Sequence, residues 1–227
     1  MIEIRDWLIK YLKGTGWEVE LYHYLYSEEF MQILEKLKSL TDDNKRYVPG
    51  IKIALQWMKV CPFDSIKAVM LIDEWYAYLN KQGVPYSQDN EKMRRNEFKP
   101  DIKICNRKEI TELIDPLMPY YKMFDYNLER WCKQGVLMFP IAPTCRLDGK
   151  PHYKIWSGFV NRVIEAINIA HKDVPWMLLE RGCWKYEDQI ESKNTILYTS
   201  YPKCSNENWY KDINKVLTDR NIESIKW

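Results

Sequence analysis

The 227-residue chain has little of what metal, export or membrane functions require. Its six cysteines, at 61, 105, 132, 145, 183 and 204, form no CxxC pair. Only three histidines are present (His23, His152, His171), none spaced to a cysteine as a zinc ligand would be. No metal and no cofactor is therefore expected. No apolar run approaches the roughly 18 residues of a membrane-spanning helix, so no membrane association is expected either. The N-terminus opens directly on an amphipathic segment, without the charged-then-apolar pattern of an export signal. With scattered, unpaired thiols this reads as a protein of a reducing, intracellular setting. An excess of one charge is missing too: 34 basic against 32 acidic residues leave a formal +2. That excludes a strong overall pull on nucleic acid, so any such contact must rest on a local patch.

What is present is apolar and aromatic. Hydrophobic residues make up 46% of the chain and aromatics 14%, with ten Trp and sixteen Tyr. Core filling accounts for such a content, and so does a surface that stacks bases or docks a partner. Ile2–Leu12 and Ser27–Leu40 carry apolar residues at helical spacing, with Ser27 ahead of Glu28 and Glu29 as an N-cap. Pro49–Gly50 breaks the chain, and Ile51–Lys59 reads as a further short helix. Ala68–Ile72, Val136–Ile141, Trp176–Leu179 and Thr195–Thr199 are short apolar runs without alternation, which suits strands covered on both faces. Trp156–His171 and Trp209–Thr218 supply helices between and after them. With no repeat, low-complexity tract or linker, the expected fold is α/β: a single domain over residues 1–227, with a small, about four-stranded parallel sheet flanked by helices. The polar stretch Gln88–Arg107, with Lys92, Arg94, Arg95 and Lys99, is either a solvated loop or a phosphate-contacting one.

In an open parallel sheet, ligands bind beyond the carboxyl ends of the strands. The sequence there supplies the most informative motifs. Pro62-Phe63-Asp64 and the run Ala68–Ile72 lead to Asp73-Glu74-Trp75-Tyr76, followed by Gly83-Val84-Pro85-Tyr86-Ser87. Further on stand Trp131-Cys132-Lys133-Gln134-Gly135-Val136-Leu137 and Tyr201-Pro202. Taken together they resemble the family 1 uracil-DNA glycosylases over roughly Trp17 to Trp227, including the terminal Ile225-Lys226-Trp227. The resemblance implies the same fold and DNA as the partner.

The reactive positions depart from the pattern. Glu74 takes the place of the family's catalytic Asp and Asp73 that of its Gln, so the resemblance implies catalytic roles for both, against a plain polar loop. Tyr76 is similar to the residue that walls the pocket against a 5-methyl group. Tyr86 takes the place of the Phe that stacks on the flipped base. Pro140 falls where the family has the Asn that reads uracil's edge. Proline has no side-chain donor or acceptor, so that reading is lost. Tyr201 replaces the His that stabilises the departing base, and can still donate one hydrogen bond. Ser205 stands where a Leu wedges into the duplex and is too short to do so. Ser87, Thr144, His152, Lys203 and Ser205 are the implied DNA contacts, although a loop histidine at 152 needs no phosphate.

The matches are structural and the departures cluster at Glu74, Pro140, Tyr201 and Ser205. The resemblance therefore implies a DNA-binding protein that engages a base other than uracil, such as a modified pyrimidine, with ordinary uracil excision lost. A non-catalytic DNA-binding or protein-assembly module and a drifted but active uracil-DNA glycosylase stand as alternatives. Whether the chain is an enzyme is left open. Its Lys- and Asn-rich composition suits an AT-rich, viral genome.

Overall fold

A computed structural model describes residues 1–42, 47–73, 84–85, 113–114, 117–120, 125–147, 149–191, 193–199 and 208–227. The strands among them are β1 (Tyr47–Val48), β2 (Ala68–Ile72), β3 (Val136–Pro140), β4 (Cys145–Arg146), β5 (Trp176–Leu178) and β6 (Ile196–Tyr198). The long helices are α1 (Ile2–Leu12), α2 (Glu28–Asp42), α3 (Tyr153–Ala170) and α4 (Trp209–Asp219).

All four expected apolar runs are strands of one parallel sheet in the order β3-β2-β5-β6. Val69 is in register with Leu137 on one side and Trp176 on the other. Every residue of β2, β3 and β5 is buried. These strands are apolar throughout because helices cover both faces. The edge strand β6 is only partly covered, and Tyr198 is exposed.

The helices follow their apolar spacing. Leu8 and Leu12 of α1, and Phe30, Ile33, Leu34 and Leu37 of α2, are buried. Ser27 caps α2, its Oγ accepting the Phe30 N–H at 3.2 Å. At the margins the periodicity reads too far, since Ile2 and Ala170 are exposed. Ile51–Lys59 is two short turns, Ile51–Ala54 and Gln56–Val60, instead of one helix. The antiparallel pair β1–β4 carries no sequence signal, because two residues per strand cannot show alternation.

The tryptophans are mostly core. Trp17, Trp57, Trp131, Trp156 and Trp176 are fully buried. Trp131, Trp209 and Trp227 meet edge to face, with centroids 5.0 to 6.2 Å apart, and fasten the C-terminal residue into the core. Such pairs add about 0.5–1.5 kcal/mol each beyond their buried area. Cys61, Cys132, Cys145 and Cys183 are buried free thiols. Burial pushes the Cys61 thiol up to about 12. Among the described residues, no helix is long and apolar enough to cross a membrane.

The Lys133-Gln134-Gly135 turn fixes the start of two strands. Gly135 has φ +100°, and its carbonyl accepts from Lys67 N at 2.8 Å and Ala68 N at 3.2 Å. Gln134 grips the C-terminal segment, donating to Lys226 O at 3.0 Å and accepting from Lys226 N at 2.8 Å.

His171, just after α3, carries a pH dependence. Its ring packs edge-on to Phe63 at 4.7 Å, and its Nε2 is buried without a hydrogen-bond partner. Burial lowers its pKa, outweighing the opposing charges of Asp64 and Glu20. Protonation therefore favours the unfolded chain. The stability that neutral His171 contributes is complete above the ordinary histidine pKa, about 6.5, and is lost as pH falls below it. Urea unfolding across this range is expected to show that decline, and His171→Leu to flatten it.

Candidate functional site

The chain passes from β2 to β3 on one side and then crosses to β5 on the other. The switch in strand order thus falls between β2 and β5, where an open sheet offers its crevice. Asp73 follows β2 there and Glu180 lies just beyond β5. Both stand at carboxyl ends because the sheet is parallel.

Asp73 is held by a hydrogen bond on one side and closely packed on another. Its Oδ1 accepts the Tyr153 hydroxyl at 2.6 Å, from the first turn of α3. Its Oδ2 lies so near Gly182, in the short Arg181–Trp184 helix, that a Cβ there would fall 1.5 Å from it. Lys185 Nζ sits 4.8 Å above the Tyr153 ring and 5.1 Å from that of Tyr186. Behind this group the Cys183 thiol donates to Leu71 O at 3.3 Å. Burial raises its pKa, and the charges of Asp73 and Glu180 raise it further. Tyr186 is pushed up to about 12 by burial and then by Cys183 and Asp73. Both groups stay protonated at neutral pH, so neither is a ready nucleophile. Asp73 thus ties the end of β2 to α3 through the Tyr153 hydroxyl and packs closely against Gly182 of the 181–184 helix.

Beyond β3 the surface is apolar. Pro140 is in register with Ile72, and Ile141, Ala142 and Pro143 after it are buried. None of these four side chains carries a polar atom. Thr144, expected as a DNA contact, has its hydroxyl turned inward and is 1% exposed. Its Oγ1 accepts the Trp156 indole N–H at 2.8 Å and lies 3.0 Å from His152 Nδ1. A threonine hydroxyl has two acceptor lone pairs beside its one proton, so it receives the indole N–H and pairs with Nδ1 as well. The His152 N–H also donates to Thr144 O at 3.0 Å. These bonds tie Thr144 to Trp156 of α3 and to His152, which stands just ahead of that helix and is itself half-buried. The remaining candidates, Glu74, Tyr76, Tyr86, Ser87, Tyr201, Lys203 and Ser205, lie outside the described residues.

Sequence reasoning missed Tyr153, Gly182 and Lys185. The signal for Gly182 was available: it is a glycine within four residues of the carboxyl end of a buried strand, where the fold places its site.

The four-stranded parallel sheet in this order, flanked by helices, has the uracil-DNA glycosylase fold. The solved mimivirus uracil-DNA glycosylase superposes with a TM-score of 0.73 at 21% identity, covering 96% of this chain and 88% of that one. A variant of mimivirus UNG in complex with UGI gives a TM-score of 0.76, also at 21% identity, covering 96% and 90%. Among curated proteins, the uracil-DNA glycosylase of Fusobacterium nucleatum is 26% identical over 225 residues, 94% of this chain and 95% of its own length. That of Coxiella burnetii is 28% identical over 191 residues, 82% of this chain and 79% of its own. No protein-family model matches the sequence.

Proposed function

We propose that the chain is a DNA-processing protein of the uracil-DNA glycosylase superfamily that engages a base other than uracil, with ordinary uracil excision lost. The fold and the names of the curated relatives support the DNA-processing part. The observation that carries the finer part is Pro140. It ends β3 in register with Ile72 and is followed by Ile141, Ala142 and Pro143, so this strand end has no side-chain amide to read a base edge. A site built around such a hydrogen bond discriminates by about 10⁴–10⁵, and its absence forfeits that selectivity.

In this reading a modified pyrimidine is held between Tyr76 and Tyr86. Glu74 supplies the base or the electrostatic stabiliser, Tyr201 donates to the base, and Asp73 positions the segment that carries Glu74. Ser87, His152, Lys203 and Ser205 meet the DNA backbone. The protein then works inside the cell. The hydrogen bond from the Tyr153 hydroxyl to Asp73 favours a second reading, a DNA-binding or assembly module without chemistry, because the oxygen that accepts it is committed to holding the fold.

Glu74→Gln separates the two. If the chain is an enzyme acting through Glu74, the substitution is expected to remove base release by about 10²-fold or more while leaving affinity for the same strand intact. Turnover that survives the substitution ends the role assigned to Glu74.

A further inference from the structure

Beside the Trp131–Trp209–Trp227 cluster lies a cavity of about 470 Å³ between α4, Tyr120 and residues 225–227. Its described lining contains three lysines, Lys211, Lys215 and Lys226, and no acidic residue. Lys215 is neutralised by Asp219 at 2.5 Å. Lys211 and Lys226 make no ion pair among the described residues. Lys211 Nζ instead stands 5.6 Å from the Tyr120 ring centroid and 5.7 Å from that of Tyr210. Tyr120 is 63% exposed, more than Tyr22, Tyr26 or Tyr198, the other exposed tyrosines among the described residues. The floor is rigid: Asn214 donates to Ile225 O at 2.9 Å and accepts from Ile225 N at 2.8 Å.

We propose that this cavity is a nucleotide subsite, with Tyr120 stacking a base and Lys211 and Lys226 holding its phosphate. An exposed ring beside Lys211, in a cavity that Lys226 also lines and with neither lysine ion-paired among the described residues, matches a ligand that is flat and aromatic at one end and anionic at the other. The volume lies within the roughly 300–1,000 Å³ of small-ligand sites. Hydrogen bonds to Tyr210 and Lys211 lower the pKa of the Tyr120 hydroxyl, which ties Lys211 to the rim where the phosphate would sit. None of the subsite's described lining residues belongs to the group around Asp73. It rests on the reading of the protein as a DNA binder only for the source of the nucleotide, which is one unit of a bound strand or a free nucleotide.

Calorimetric titration of the full chain with inorganic phosphate, thymidine monophosphate, a short oligothymidylate and a glutamate-rich peptide tests this. Thymidine monophosphate is expected to bind about tenfold or more tightly than phosphate, because stacking adds about 1–3 kcal/mol. Tyr120→Ala is expected to remove that advantage, and Lys211→Ala to weaken both ligands. For the oligonucleotide, Lys211→Ala lowers the salt slope by about one phosphate if a strand is the source. Nucleotide binding with those dependences but no strand binding supports the subsite and overturns the DNA reading. Strand binding that both variants leave unchanged overturns the subsite and spares the DNA reading. Absence of nucleotide binding, or equal dependence of the acidic peptide on Lys211, also overturns it. Unchanged melting temperatures establish that both variants are folded.

Discussion

Gly135→Ala is expected to destabilise the protein by at least about 3 kcal/mol, lowering its melting temperature by about 10 °C. Two effects combine. At φ +100° an L side chain costs on the order of 1–2 kcal/mol. The added Cβ would also fall 2.1 Å from the Ser65 carbonyl, a backbone atom that can move only by shifting the start of β2. The Gly135 carbonyl would then lose its bonds from Lys67 N and Ala68 N, which hold β2 against β3. Gly14 supplies the contrast. It has φ +81° with nothing within 4 Å of its would-be Cβ, so Gly14→Ala should cost only the conformational term, about 1 kcal/mol. Thermal unfolding by circular dichroism reads both. Equal shifts for the two variants would show that the Ser65 contact does not constrain the turn.

Gly182→Ala has the second large effect, on the site. The new Cβ would lie 1.5 Å from Asp73 Oδ2 and 2.3 Å from its Cγ. The carboxylate is the far end of a short side chain, so it swings away, and the Tyr153 hydroxyl at 2.6 Å loses its acceptor. Glu74 follows Asp73 directly, and a displacement of about 1 Å at a reacting group costs on the order of 10²-fold. Gly182→Ala should therefore depress base release, or strand affinity in a purely binding protein, by about that factor. Tyr153→Phe removes one bond and leaves the space open, so it should do less. A Gly182→Ala protein with wild-type behaviour in both assays means Asp73 does not position the site.

The sheet was legible in the sequence because parallel strands covered on both faces must be apolar throughout. Ala68–Ile72 and Trp176–Leu179 are too short and too uniformly apolar for exposed helices. The Lys133-Gln134-Gly135 turn was legible as a resemblance, and its reason is now physical: Gly135 alone fits beneath Ser65, and Gln134 ties down Lys226. The candidate site was legible only in part. Pro140 announces a missing amide by its residue type. The burial of Thr144 was not foreseeable, because its bonds to Trp156 and His152 close a loop whose path depends on α3. Tyr153 and Gly182 reach Asp73 from 80 and 109 residues further along the chain, and no local pattern connects them.

The central claim is that the β3 end no longer reads uracil. The most direct measurement incubates the purified protein with single- and double-stranded oligonucleotides containing uracil, thymine or 5-hydroxymethyluracil and weighs the products by mass spectrometry. The account predicts that the uracil strand keeps its mass while a strand with the modified pyrimidine becomes abasic. An abasic product from the uracil strand would contradict it, since Pro140 would then have replaced the asparagine without loss of the base it read. Intact DNA in every reaction would reject the catalytic part and leave the binding module in its place.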